Sequence, residues 1–181
     1  MPMKNAVIFH GTGCKPEDFW YMWLKDQLES SGYKVELPYY PDINRTPISE
    51  FLPKVMGQLN LNTETVLIGH SAGVPLILSI LEHTDQKIGL AVMVAGFSQP
   101  LDGERDVVLQ SNYDWDKIKQ HADDFIFINS DNDPWGCDDK QGRHMYDNLG
   151  GTLIIRHDGH FGSANQNQPY KEFPLLKKLI V

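Results

Sequence analysis

Basic charge, cysteine and long apolar runs are all scarce in this sequence. Lys and Arg number 16 against 24 Asp and Glu, for a formal net charge of −8. Lys177-Lys178 is the nearest thing to a basic cluster. Such a chain is poorly suited to sequence-independent binding of nucleic acid or anionic lipid, which needs clustered cations. Two cysteines, Cys14 and Cys137, make no disulfide framework and no paired-thiol zinc motif. No stretch approaches the roughly 18 apolar residues of a membrane span. The run Ala6-Val7-Ile8-Phe9 is too short for a signal-peptide core and has no small-residue cleavage site, so a cytoplasmic location is expected. Phosphate loops are missing as well. Gly11 and Gly13 begin a G-x-G-x-x-G pattern, but Pro16 stands where the third glycine belongs, and no Gly-Lys-Ser/Thr loop occurs.

What remains is an ordinary globular composition: 181 residues, 41% apolar and 22% charged, the size of one domain over 1–181. Short apolar runs at 5–9, 34–37, 65–68, 90–95, 125–129 and 152–156 are mostly continuous rather than alternating. Strands buried on both faces have that pattern. Helical stretches separate them, at 16–30, 48–59, 72–83, 115–121, 142–148 and 170–179. In the first, Pro16, Glu17 and Asp18 form a helix start, and Phe19, Trp20, Trp23, Leu24 and Leu28 line one face. The alternation predicts an α/β fold: a doubly wound, mainly parallel six-stranded sheet with helices on both faces.

Three segments carry chemistry, and each follows a predicted strand. Gly69-His70-Ser71-Ala72-Gly73 fits G-x-S-x-G between a buried strand and a helix, the setting of a nucleophile elbow. There the Ser71 hydroxyl is exposed above the sheet, and the Ala72 amide at the helix N-terminus can hold an oxyanion. Ser130-Asp131-Asn132-Asp133-Pro134-Trp135 offers a carboxylate to orient a histidine. Asp158-Gly159-His160-Phe161-Gly162 offers that histidine on a glycine-flanked loop. Ser, Asp and His occur in the chain order of α/β-hydrolases. His10-Gly11-Thr12-Gly13 follows the first strand and is placed to give a second oxyanion amide, with Thr12 the first choice and Gly11 or Gly13 the alternatives.

The chain resembles the compact α/β-hydrolase-fold serine hydrolases related to retinoblastoma-binding protein 9. The resemblance rests on residues 69–73, on Ser130 through Pro134, and on Gly159-His160-Phe161. It implies an esterase-like enzyme with a triad of Ser71, Asp133 and His160, in which the acid immediately precedes proline. Asp131 and His157 are the competing positions. Neither cysteine has the Leu-x-Cys-x-Glu context of retinoblastoma binding, so that role has no support in the sequence.

The expected spatial order of strands is 2-1-3-4-5-6, which sets the Thr12 loop beside the Ser71 elbow. It separates Cys14 from the loop of Cys137 by about three strand spacings of ~4.8 Å, so two free thiols are expected. In the larger hydrolases that the resemblance points to, a lid often follows the strand after the elbow strand. Here that stretch must also supply a crossover helix, which leaves only the polar, turn-rich 97–112. The prediction is therefore an open site without a large lid, rimmed by Trp135, Phe161 and Phe97, that takes small ester or amide substrates. No cofactor or metal is implied, and no oligomeric state follows. Two other readings are a binding protein on a hydrolase scaffold and thiol chemistry through Cys14.

Overall fold

The computed structural model describes residues 2–102 and 106–181. One six-stranded sheet organises the chain. Its strands are β1 (Asn5–Phe9), β2 (Lys34–Glu36), β3 (Thr65–His70), β4 (Ile88–Val94), β5 (Ala122–Ser130) and β6 (Thr152–Arg156). They run in the order β2-β1-β3-β4-β5-β6, the order expected from the resemblance to the hydrolase sheet. Every neighbouring pair is parallel. All six residues of β3 are buried, whereas edge strand β6 is partly exposed along its length. The gradient explains why the central strands read as unbroken apolar runs.

The helices are α1 (Tyr21–Glu29), α2 (Ile48–Met56), α3 (Gly73–His83), α4 (Trp115–Gln120), α5 (Asp139–Leu149) and α6 (Pro174–Ile180). Helices α1 and α6 pack together, while α2, α3, α4 and α5 pack in succession. Right-handed crossovers require α1 to lie apart from α2 through α5, and α6, which follows the last strand, joins α1. The chain winds one way from β1 to β2 and the other way from β2 through β6, so the helices fall on opposite faces. Helix α3 lies in the middle of its layer, and every residue from Gly73 to Leu81 is buried. No helix among the described residues is long and apolar enough to cross a membrane.

Three helix starts differ from the sequence expectation by three residues or more. Helix α1 starts at Tyr21 rather than at residue 16, because Phe19 adopts a left-handed backbone with φ 51°. Residues ahead of it form turns, one of them closed by the Lys15 amide donating to Asp18 Oδ2 at 2.7 Å. Helix α6 starts at Pro174 rather than at residue 170. Proline suits the first helical position but keeps the residue before it, Phe173, out of the helical region, at φ −139° and ψ 73°. Helix α5 begins three residues earlier than expected because the Asp138 carboxylate caps it, accepting from the Lys140 and Gln141 amides.

Candidate active site

The sheet's C-terminal edge carries a strained turn between β3 and α3. Ser71 sits there with φ 54°, a left-handed conformation uncommon for a residue with a side chain. Two anchors hold it: the Ser71 amide donates to Val94 O at 2.9 Å, and the Val74 amide donates to Ser71 O at 2.9 Å. The flanking glycines permit close approach. A Cβ on Gly69 would lie 2.8 Å from the Gly73 backbone, and one on Gly73 would lie 2.5 Å from Phe9 O. Helix α3 can therefore start directly against β1 and β3 only with glycine at both positions.

Two histidine–carboxylate pairs lie on neighbouring loops, and burial separates them. His160 Nδ1 bonds Asp133 Oδ2 at 2.7 Å, with side-chain exposures of 8% and 0%. The other Asp133 oxygen accepts from the Trp135 amide at 2.8 Å. His157 Nδ1 bonds Asp131 Oδ1 at 2.6 Å, but those side chains are 77% and 53% exposed. Ser71 and His160 share the wall of one cavity, where the hydrogen bonds of the described residues include none between them. The Cys137 thiol lies beside the Ser71 hydroxyl.

Behind these groups runs a buried hydrogen-bonded chain. The Gly11 amide donates to the Tyr21 hydroxyl at 3.3 Å. The hydroxyl donates to His70 Nδ1 at 2.5 Å, and His70 Nε2 donates to the His160 carbonyl at 2.8 Å. Burial pushes the His70 pKa down to about 3, so its ring is neutral and can serve as acceptor at one nitrogen and donor at the other. The chain links the first loop, the elbow and the His160 loop. It also occupies the Gly11 amide, whereas the Thr12 and Ala72 amides are free of protein hydrogen bonds among the described residues. Nearby, Asn44 Nδ2 donates to Thr12 Oγ1 at 3.3 Å and to Asp106 Oδ1 at 3.0 Å, and Asn44 Oδ1 accepts from the Val108 amide at 3.1 Å. The 106–108 segment is thus tied to the first loop.

The cavity encloses about 390 Å³. Its apolar lining includes Phe19, Phe97, Leu101 and Trp135; Thr12, Asp18, Asn44, Asp106, Ser163 and Asn165 add polar surface. Of the three expected rim residues, Phe97 and Trp135 line this cavity. Phe161 does not: it is fully buried, stacked on Phe173 at 5.3 Å between ring centroids, and the Trp20 indole donates to its carbonyl at 2.9 Å. Its φ of 52° turns the side chain into the core, and the aromatic packing from the C-terminal segment holds it there. Phe19, Leu101 and Cys137 were not among the sequence candidates. The left-handed turn at Phe19 is what moves that ring from the predicted helix face to the cavity. Both cysteines are free thiols, as expected, yet both line this cavity despite the separation of their strands. Burial raises the pKa of each, well above 9 for Cys137, which disfavours a reactive thiolate at Cys14.

The serine hydrolase family matches the chain over residues 6–180. The YdeN protein of Bacillus subtilis is 27% identical over 167 residues, covering 87% of this chain and 86% of its own. The crystal structure of the ydeN gene product superposes with a TM-score of 0.87 at 23% identity, over 98% of this chain and 96% of that one. The serine hydrolase RBBP9 of Rattus norvegicus is 28% identical over 189 residues, covering 99% of this chain and 96% of its own. An esterase domain from a Rhodothermus marinus protein shares the fold at a TM-score of 0.62 and 13% identity, over 93% of this chain and 83% of that one. With a family match over almost its whole length, the chain belongs to the serine hydrolases.

Proposed function

We propose that this serine hydrolase cleaves small esters through an acyl-enzyme on Ser71, with His160 as general base and Asp133 as the orienting acid. The observation that carries the reading is a strained serine at φ 54° sharing one cavity with a histidine that is bonded to a fully buried carboxylate. Because Nδ1 of His160 is committed to Asp133, Nε2 is left to take the Ser71 proton. A rotation of the Ser71 side chain away from Cys137 brings the two together, since catalytic hydrogen bonds often tighten only with substrate bound. Ser71 Oγ attacks the ester carbonyl. The Ala72 and Thr12 amides hold the resulting oxyanion. His160 returns the proton to the leaving alcohol, and water then releases the acid by the reverse path. Amides and thioesters can react by the same steps, and the leaving group decides among them.

A volume of about 390 Å³ is near the lower end for small-molecule sites. It favours short acyl groups seated among Phe97, Leu101 and Trp135. Each further buried CH₂ would add ~0.8 kcal/mol, but only while apolar wall remains. The value of kcat/KM for p-nitrophenyl esters is expected to peak at acetate to butyrate and to fall by octanoate. A steady rise through decanoate would overturn the short-chain assignment.

A further inference from the structure

We propose that Asp133, Cys137 and His160 form a site for a thiophilic divalent cation, zinc, whose binding switches the hydrolase off; the switching half rests on the function proposed above. One ligand atom from each residue lies within 4.8 Å of the other two. Zinc holds sulfur at about 2.3 Å and nitrogen or oxygen at about 2.0–2.2 Å, so tetrahedral donors lie roughly 3.3–3.7 Å apart. The thiol closes on the other two by about 1 Å, and the His160–Asp133 pair, bonded at 2.7 Å, opens by about as much, both within reach of side-chain rotation. Carboxylate, thiolate and imidazole form a donor set that suits zinc better than calcium or magnesium, which take oxygen.

The surroundings support a site rather than a chance grouping. Cys137 and His160 are buried yet line the cavity, which supplies an entry path for the ion. Asp133 is held from behind by the Trp135 amide at 2.8 Å, the kind of outer contact that orients a metal ligand. The fourth position falls to water or to the Ser71 hydroxyl, which lies beside the thiol. Binding proceeds without electron transfer. The Cys137 thiol gives its proton to solvent and the thiolate bonds the metal; the hydrogen bond from His160 Nδ1 to Asp133 opens, its proton shifts through solvent to Nε2, and Nδ1 gives the metal its lone pair. Occupancy removes the base from Ser71, so the acyl transfer stops. Because a proton leaves, binding tightens as pH rises. The exposed His157–Asp131 pair has no thiol beside it among the described residues and serves as the internal control.

The test separates binding from turnover. In a Ser71→Ala background, Co²⁺ is titrated while the thiolate-to-cobalt charge-transfer band is followed, and zinc is then added as competitor. A saturable band that zinc abolishes is expected, lost in Ser71→Ala/Cys137→Ala and kept in Ser71→Ala/His157→Ala, with circular dichroism showing that each variant is folded. In the Ser71 protein, zinc is expected to suppress ester hydrolysis and EDTA to restore it. Removing the thiol with Cys137→Ser is expected to weaken that inhibition by about tenfold or more, relative to the variant's own metal-free rate. A missing band, a band that survives Cys137→Ala, or one lost with His157→Ala overturns the site. A band without inhibition overturns the switch. Failure of the protein to hydrolyse any ester would refute the proposed function while leaving the cobalt result readable.

Discussion

Tyr21→Phe removes one oxygen atom and tests the buried chain behind the site. The Tyr21 ring is fully buried, and phenylalanine preserves its packing. Besides the Cys14 thiol that lies against it, the hydroxyl accepts from the Gly11 amide at 3.3 Å and donates to His70 Nδ1 at 2.5 Å. Without it, one donor and one acceptor are left buried and unpaired. Each such group costs about 1–3 kcal/mol, offset in part because the hydroxyl itself no longer has to be desolvated. The net expectation is a destabilisation of about 2–4 kcal/mol in urea unfolding. At roughly 2–4 °C per kcal/mol for a chain of this size, the melting temperature falls by about 5–15 °C. Activity responds for a separate reason. The Gly11 amide anchors the loop that presents Thr12, so its release loosens the proposed oxyanion site, and kcat falls by about tenfold or more with KM little changed. A variant within about 0.5 kcal/mol of wild type and with unchanged kcat would refute the claim that this chain holds the site together.

Three further substitutions probe the buried histidine and the two carboxylates. The His70 pKa drops from 6.5 in the unfolded chain to about 3 on burial, so the unfolded state takes up the proton first. Stability present above pH 6.5 is therefore lost as pH falls towards 3, by up to about 1.4 kcal/mol per pH unit and about 5 kcal/mol in all. Buried His10, also shifted down by desolvation, acts in the same direction. Urea unfolding of wild type and His70→Gln between pH 7 and about 4 checks this, with the variant's slope expected to be shallower; parallel loss of stability would remove His70 as the cause. Separately, Asp133→Asn is expected to lower kcat by about three to four powers of ten by misorienting His160. Asp131→Asn, on an exposed pair, is expected to leave ester hydrolysis near wild type. The reverse ranking in steady-state assays would transfer the acid role to Asp131.

The readable and unreadable parts of this sequence divide along a physical line. The parallel sheet was legible because 66–68 and 125–128 are continuous apolar runs between helical stretches, and the strand order came with the resemblance to the hydrolase sheet. Ser71 was legible because an elbow between strand and helix demands small residues at 69 and 73, whose missing side chains make the close approach to Phe9 possible. Pro134 marked Asp133 over Asp131, and the structure pairs Asp133 with His160. Side-chain direction at left-handed residues was not legible. Phe19 and Phe161, with φ of 51° and 52°, exchange their expected roles: Phe19, placed on a helix face by periodicity, lines the cavity, and Phe161, placed on the rim by its position beside His160, is core. Tyr21 was hidden for another reason. It stands among apolar helix positions such as Trp20 and Leu24, and its hydroxyl gains meaning only once His70 and Gly11 fold against it. Cys137 reaches the site after a turn at Gly136 with φ 80°, a long-range placement that no local pattern encodes.

The central claim is that Ser71 carries the acyl group, and a fluorophosphonate probe tests it most directly. The purified protein is incubated with the probe, then measured by intact mass and mapped by peptide sequencing. A single phosphonyl adduct on Ser71 is expected in the wild type and none in Ser71→Ala. A folded wild type that takes no label, as a binding protein on a hydrolase scaffold would, contradicts it. So does an adduct on Cys14 or Cys137.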